Sequence, residues 1–139
     1  MKPQLVIDTN VWVAAFRSRT GASRQVIDRV LEGEFDLHLT VPLLMEYEEI
    51  FVRERRAMGL TEEEVENLLA FITAVGIRHK VHFLWRWQVP DPDDAHVLEA
   101  AVTADCTYLV TFNERDLREA EQFGIAVVRP GALLRILNG

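Results

Sequence analysis

The side chains best suited to chemistry in this 139-residue chain are carboxylates that accompany apolar runs. Asp8 comes directly after the apolar run of residues 5–7, Glu46 lies inside a segment with helical periodicity, and Asp94 belongs to an acidic cluster at a helix start. Carboxylate oxygens are the ligands that Mg²⁺ and Mn²⁺ prefer. Such ions activate water for attack on a phosphodiester and stabilise the leaving oxygen. The pattern therefore points to a hard divalent cation and to phosphoryl chemistry.

Asp8 and Glu46 also have purely structural interpretations. Asp8, followed by Thr9 and Asn10, could simply cap the helix that begins there, because all three residue types are good N-caps. Glu46 and Glu48 border the apolar stripe of their helix equally by helical angle, so spacing does not choose between them. On spacing alone, a solvated glutamate is the simpler interpretation of either.

Residues 91–94 form an acidic helix start with the sequence Asp-Pro-Asp-Asp. Asp91 as N-cap, with Pro92 at the first helical position, accounts for the first acid, and all three acids complement the helix dipole. Asp93 and Asp94 repel each other within one turn, and a bound divalent cation would relieve that repulsion. Surface capping and a cation site are both consistent with this cluster.

A further polar group follows the apolar run of residues 108–111. Asn113, Glu114 and Asp116 lie where that run ends. Asn113 is explained equally well as a helix cap and as part of a site.

Short apolar runs alternate with segments of helical periodicity along the chain. This alternation predicts one domain over residues 1–139, built on a parallel sheet covered on both faces by helices. In such sheets, polar groups at the C-terminal ends of the strands converge on one crevice, where ligands bind. Residues 81–89 are apolar and aromatic and fit either a strand or an extended crossover. We predict strands at residues 5–7, 37–41, 108–111 and 125–128. We predict helices at residues 10–17, 20–33, 91–105, 113–123 and 130–137. Two further helices begin at Pro42 and after the capping box of Thr61 and Glu64.

The net charge of −7, from 22 acids and 15 bases, is unevenly distributed. Residues 1–30 and 76–90 each carry +3, whereas residues 31–75 carry −8 and residues 91–139 carry −5. The acidic average therefore does not exclude a polyanionic partner. Arg17, Arg19 and Arg24 follow Asp8 in the first basic stretch and could line the path of a polyanionic substrate.

Several classes of protein are excluded by composition and motifs. The single cysteine, Cys106, rules out an internal disulfide and a cysteine-based zinc site, and it indicates a reducing compartment, with the cytoplasm as the default. No stretch approaches the roughly 20 apolar residues that a membrane span needs. The chain has no phosphate-binding glycine loop, no Gly-x-Ser-x-Gly elbow and no His-Glu-x-x-His motif.

Four short motifs together resemble the PIN domain, and most of all its compact prokaryotic members that act as toxins of type II toxin–antitoxin pairs. Their order and approximate spacing match over nearly the whole chain. The motifs are Val6-Ile7-Asp8-Thr9-Asn10-Val11, Glu46-Tyr47-Glu48-Glu49, Asp91-Pro92-Asp93-Asp94 and Leu109-Val110-Thr111.

The resemblance implies a three-layer αβα sandwich with a central parallel sheet and a metal-dependent ribonuclease site. Carried over by position, Asp8, Glu46 and Asp94 would be ligands of Mg²⁺ or Mn²⁺, and it is the resemblance that selects Glu46 over Glu48. In PIN domains, a fourth acidic residue often lies two positions after the threonine that corresponds to Thr111. Here that position is Asn113, so either Asp116 supplies the fourth carboxylate or the site works with three acids. The resemblance assigns the orientation of ligands or water to three further polar residues, Thr9, Asn10 and Thr111.

The leading functional hypothesis is a metal-dependent endoribonuclease that cuts single-stranded or looped RNA, as a growth-inhibiting toxin neutralised by a small antitoxin protein. The family also leads us to expect a homodimer. The aromatic residues Phe83, Trp85 and Trp87 are candidate interface residues, and their alternative interpretation is that they belong to the core. A second hypothesis is an aspartate-nucleophile phosphatase, although Asn10 stands where such enzymes usually have a second aspartate. A third is a non-catalytic module that binds RNA or a protein partner, which Asn113 favours.

Overall fold

The computed structural model describes residues 2–81, 87–89 and 91–138. Within these residues the centre is a five-stranded sheet of order β3-β2-β1-β4-β5, and every neighbouring pair of strands is parallel. Helices flank this sheet, which confirms the predicted three-layer α/β architecture. The strands are β1 (Gln4–Ile7), β2 (Asp36–Thr40), β3 (Ile77–His79), β4 (Tyr108–Val110) and β5 (Ala126–Val128).

The helices begin where the sequence provides caps. Thr40 and Asp91 are the N-caps of helices with a proline in the first turn, and Thr61 forms the predicted capping box with Glu64. Among the described residues, no helix combines the length and the apolar character that crossing a membrane requires. The helices are α1 (Thr9–Arg17), α2 (Ala22–Leu31), α3 (Val41–Met58), α4 (Glu62–Val75), α5 (Pro92–Ala104) and α6 (Pro130–Asn138), with a 3₁₀ helix at Arg118–Phe123.

The core lies on both sides of the central strands. Leu5, Val6 and Ile7 of β1 are fully buried, as expected for a parallel strand that has helices on each face. Cys106 is also buried, and burial raises the pKa of its thiol to about 12. The cysteine therefore packs as a core residue.

The structure has one strand that the sequence did not predict. The edge strand β3 at residues 77–79 was not predicted; it is short and half-exposed, so it lacks the apolar run that marks a buried strand. In residues 81–89, Val81 and residues 87–89 have no regular structure, and residues 82–86 lie outside the described part of the chain.

The predicted helix at residues 113–123 was wrong in its first half. Residues 114–117 form turns, and only Arg118–Phe123 is helical, as a 3₁₀ helix. The reason is local, because Asn113 uses its backbone N–H for Thr111 Oγ1 (2.9 Å) and its side-chain amide for Asp116 Oδ2 (3.1 Å). Such side-chain hydrogen bonds compete with those of a regular helix.

Candidate functional site

Asp8 lies at the end of the central strand β1, where it is held from two sides. Its backbone N–H donates to Val110 O of β4 (2.9 Å), so the sheet itself fixes its position. Its Oδ1 accepts the Thr9 N–H (2.8 Å), and its Oδ2 accepts the Thr111 hydroxyl (2.7 Å). The side chain is 6% exposed. Asp8 thus caps α1, as one interpretation of the sequence held, and also faces the C-terminal edge of the sheet.

Glu46 is brought to the same edge by the packing of α3 against β1. The next residue, Tyr47, is fully buried, and its hydroxyl donates to the carbonyl oxygen of Ile7. The Tyr47 ring also stacks on Phe51, with centroids 5.7 Å apart. Because Tyr47 anchors the helix in this rotation, Glu46 is buried, whereas Glu48 is exposed. Tertiary packing therefore separates two glutamates that helical angle left equivalent.

Asp94 completes the group from the start of α5. Asp91 acts as the N-cap, and its Oδ1 accepts the Asp93 N–H (3.0 Å). Asp94, in the first turn of the helix, is buried at 9% exposure, and Asp93 beside it is half-buried. The cap thus turns the acidic helix start toward Asp8 and Glu46.

The carboxylates at this edge repel one another. Burial raises the pKa of Asp8, although its hydrogen bonds from Thr111 and Thr9 act in the opposite direction. Burial, reinforced by the charges of Asp8, Asp93, Asp94 and Asp91, raises the pKa of Glu46 to about 8. Burial also raises the pKa of Asp94 to about 6, with further contributions from Asp8, Asp91, Asp116 and Asp93. Without a counter-charge, the folded chain therefore pays a free-energy penalty for ionising this group.

These donors fit a hard divalent cation. Glu46 Oε2 and Asp94 Oδ2 are buried oxygens that lack a hydrogen-bond partner among the residues that the structure describes, which is costly for a polar atom unless a ligand satisfies it. The set consists of oxygen atoms, which suits Mg²⁺ or Mn²⁺. Within the described residues, however, no three acidic, histidine or cysteine side chains form a preassembled metal-binding cluster. A cation would have to draw these mutually repelling carboxylates together.

A second polar network joins the end of β4 to this group. The Thr111 hydroxyl donates to Asp8 and accepts a hydrogen bond from the Asn113 backbone N–H. The side-chain amide of Asn113 donates to Asp116. Asn10 Oδ1 accepts the Phe112 N–H at 3.4 Å. Asp116 is half-buried and contributes to the raised pKa of Asp94. The polar residues after β4 are thus connected to the carboxylates both by hydrogen bonds and by charge.

An open cavity of about 640 Å³ lies over these residues. Its lining includes the carboxylates described above and apolar side chains of α1 and α3, and further along these helices it includes arginines together with Glu54. Of the three arginines expected near the substrate path, Arg17 lines the cavity. Arg19 is exposed and lies outside the cavity lining, and Arg24 is engaged with Asp28 (3.1 Å), also outside it. The residues that line the cavity are Asp8, Thr9, Asn10, Val13, Ala14, Arg17, Ser18, Glu46, Ile50, Arg53, Glu54, Asp91, Asp93, Asp94 and Asn113.

Two residues of this region were missed by the sequence analysis. Tyr47 anchors α3, but an aromatic residue on an apolar stripe looks like any other core residue. Arg53 lines the cavity from α3, although it lies in the acidic segment of the chain. The signal that could have found Arg53 is its position seven residues after Glu46, which places both on one helix face.

Comparison with known protein families finds a match between residues 4–115 and the model of the PIN domain. The matched range includes every carboxylate described above apart from Asp116, which follows it directly. A comparison with curated proteins finds no match.

Proposed function

Because the chain belongs to the PIN-domain family, whose members are generally nucleases, we propose that it is an endoribonuclease that depends on Mg²⁺ or Mn²⁺. The observation that carries this proposal is that Glu46 and Asp94 line an open cavity and that each has a buried carboxylate oxygen with no hydrogen-bond partner in the described part of the chain. Asp8 lines the same cavity. Such a group is costly in the free protein, and a divalent cation would compensate that cost.

In this proposal Asp8, Glu46 and Asp94 hold the ion. When bound, the cation lowers the pKa of water for attack on the phosphodiester and stabilises the charge that develops on the phosphate. Thr111 and the Thr9 N–H orient the two oxygens of Asp8, so that its lone pairs on the cavity side stay available. Asn113 and Asp116 form the fourth polar position, where Asn113 lines the cavity and Asp116 adds negative charge next to Asp94.

An RNA cleavage assay tests this function. We expect the purified protein to cut a mixed single-stranded RNA in the presence of Mn²⁺ or Mg²⁺, and to leave it intact in EDTA. Asp8→Asn, which keeps the shape of the side chain but removes its charge and one of its two acceptor oxygens, is the negative control. Cleavage that persists in EDTA, or that Asp8→Asn leaves unchanged, would refute the proposal.

We further propose a biological role as a cytoplasmic toxin with a small antitoxin protein as partner, acting as a homodimer. A surface for protein partners is supported by large apolar side chains that α3 leaves exposed, namely Val41, Met45 and Val52. Expression in a bacterial host is expected to arrest growth, and Asp8→Asn to restore it. Normal growth with the active protein would argue against a toxin.

A second candidate function is a non-catalytic module that binds RNA. Asn113, an amide at the fourth polar position of the cavity, is the observation that favours it. In that case the RNA would bind with the same affinity to the wild type and to Asp8→Asn, and neither protein would cut it. The cleavage assay above therefore separates the two functions.

A further inference from the structure

The cavity wall on α3 changes character along the helix. Glu46, Ile50 and Arg53 all line it, and their spacing of four and then three residues places them on one face. The row therefore runs from a carboxylate, through an aliphatic side chain, to the guanidinium of Arg53, next to which Glu54 also lines the cavity. At a rise of 1.5 Å per residue, Arg53 lies about 10 Å along the helix from Glu46.

The facing wall on α1 repeats this order. Asn10 lies beside Asp8 at the carboxylate end, Val13 and Ala14 form the middle, and Arg17 lies at the far end. Asn10 and Arg17 are also seven residues apart, so the two rows have the same length. The two helices thus present matching walls, each with an arginine about two turns away from the carboxylates.

Both arginines are available to a ligand. Arg17 is exposed, and the side chain of Arg53 is 61% exposed. The ion pair of Arg53 with Glu54, at 3.7 Å between Nε and Oε1, lies at the surface. Exposed ion pairs of this kind contribute little to stability. Arg53 can therefore leave Glu54 and bind a phosphate with little loss of free energy.

From this arrangement we propose that Arg53, together with Arg17, binds a phosphate of the RNA strand next to the one that is cut. The proposal rests on the nuclease function, because the carboxylate end must receive the scissile phosphate. Val13, Ala14 and Ile50 offer no hydrogen-bond donor for a phosphate, so the ribose or base between the two phosphates lies against them. The Arg53 guanidinium then donates hydrogen bonds to the neighbouring phosphate.

This role has a kinetic signature. A group that contacts a neighbouring phosphate, and not the reacting one, contributes equally to the binding of substrate and transition state. Arg53→Ala is therefore expected to raise KM about five- to tenfold and to leave kcat unchanged. Loss of one phosphate contact on a single strand also lowers the slope of log affinity against log salt by about 0.7.

The experiment compares Arg53→Ala with Arg56→Ala, three residues further along α3. Arg56 is exposed and does not line the cavity, so it serves as a matched control for charge and helix position. Cleavage of a fluorescent 12-nucleotide RNA in Mn²⁺ gives kcat, KM and the salt slope for each protein. We expect Arg56→Ala to match the wild type, and Arg17→Ala combined with Arg53→Ala to lower the slope by about 1.4.

Binding measured without cleavage separates this proposal from the nuclease function. Fluorescence anisotropy of the same RNA in Ca²⁺ reports affinity even if no cleavage occurs in any buffer. An affinity loss and a smaller salt slope for Arg53→Ala, but not for Arg56→Ala, support the phosphate contact whether or not the RNA is cut. Equal slopes for the two variants, a lowered kcat with unchanged KM, or no binding of RNA by the wild type would overturn it.

Discussion

Glu46 and Glu48 are two residues apart on α3 but have opposite environments. Glu46 is buried, its pKa is raised by its neighbours, and one of its oxygens lacks a hydrogen-bond partner. Glu48 is exposed. At the scale of single residues, the candidate site is therefore defined by burial and repulsion, and not by the presence of acidic side chains alone.

This difference predicts opposite effects of the same substitution. Glu46→Gln removes a proposed cation ligand and is expected to lower kcat/KM for RNA by at least a hundredfold. Loss of a residue that only hydrogen-bonds to a metal ligand can already lower activity up to a hundredfold. Glu48→Gln is expected to leave kcat/KM within twofold of the wild type. Steady-state cleavage in Mn²⁺ measures both, and equal losses in the two variants would contradict the assignment of Glu46.

The raised pKa of Glu46 also predicts how stability depends on pH. The folded protein keeps a proton on Glu46 up to about pH 8, whereas the unfolded chain loses it near the ordinary value of 4.5. The folded state therefore binds more protons, and its free energy of unfolding falls as the pH rises through this window. Asp94, whose pKa is also raised, adds to this decrease in the free energy of unfolding below about pH 6. His38 has the opposite effect below about pH 6.5, because its pKa is lowered, mainly by burial.

Thermal unfolding in EDTA between pH 6.5 and 8, compared between the wild type and Glu46→Gln, reports the contribution of Glu46, because the raised pKa of Asp8 acts in the same direction in both proteins. We expect the Tm of the wild type to fall across this range, and the Tm of Glu46→Gln to change less. A wild-type Tm that rises from pH 6.5 to 8, or an identical slope in the variant, would show that Glu46 is ionised at neutral pH.

At the scale of elements, the contact between α3 and β1 sets the geometry of the site. The Tyr47 hydroxyl donates to the Ile7 carbonyl, next to Asp8, and the Tyr47 ring packs edge-on against Trp12 of α1. One buried side chain thus holds β1, α1 and α3 together. It also fixes the rotation of α3 that directs Glu46 toward Asp8.

Removing that hydroxyl is expected to loosen the site. Tyr47→Phe removes the hydrogen bond that the buried Tyr47 hydroxyl donates to the Ile7 carbonyl, which is expected to cost about 0.5–1.5 kcal/mol in the free energy of unfolding. Tyr108→Phe is the control, because Tyr108 is only half-buried and its hydroxyl makes no hydrogen bond among the described residues. Urea unfolding monitored by circular dichroism measures both variants, and a change below 0.5 kcal/mol for Tyr47→Phe would contradict the role of this contact.

At the scale of the whole molecule, the charge of −7 includes a group of carboxylates whose repulsion a cation would remove. The first basic stretch does reach this group, because Arg17 lines the same cavity as Asp8. Arg53 comes to the cavity from the most acidic segment of the chain. The charge of a segment was therefore a poor guide to the charge that a substrate meets.

The same repulsion predicts that divalent cations stabilise the fold. A ligand that binds only the folded state raises its stability by about 2.7 kcal/mol at a concentration 100 times its Kd. We expect Mg²⁺ or Mn²⁺ to raise the Tm of the wild type by several degrees. The double variant Asp8→Asn with Asp94→Asn should lose this response. Ca²⁺-free buffers of the same ionic strength, with and without Mg²⁺ or Mn²⁺, control for the screening of charges by salt. An unchanged response in the double variant would show that the cation binds elsewhere.

Much of this architecture was predictable because it depends on local sequence. The apolar run before Asp8, the capping box at Thr61 and the proline after Asp91 act within a few residues, so they mark strands and helix starts without reference to the rest of the chain. Where local signals were weak or in competition, the prediction failed. The short strand β3 lacks an apolar run, and the hydrogen bonds of Asn113 interrupt the expected helix.

By itself, the sequence determined that carboxylates follow the strands of a parallel α/β fold, because the alternation of elements and the position of each acid are local properties. Helical spacing left Glu46 and Glu48 equivalent, and only the tertiary structure shows that Glu46 is buried in the site while Glu48 is exposed, and that Arg53 and Arg17 line the same cavity. Both outcomes depend on the rotation of α3. That rotation is set by the packing of Tyr47 against β1, a contact between residues 40 positions apart, which local periodicity does not encode.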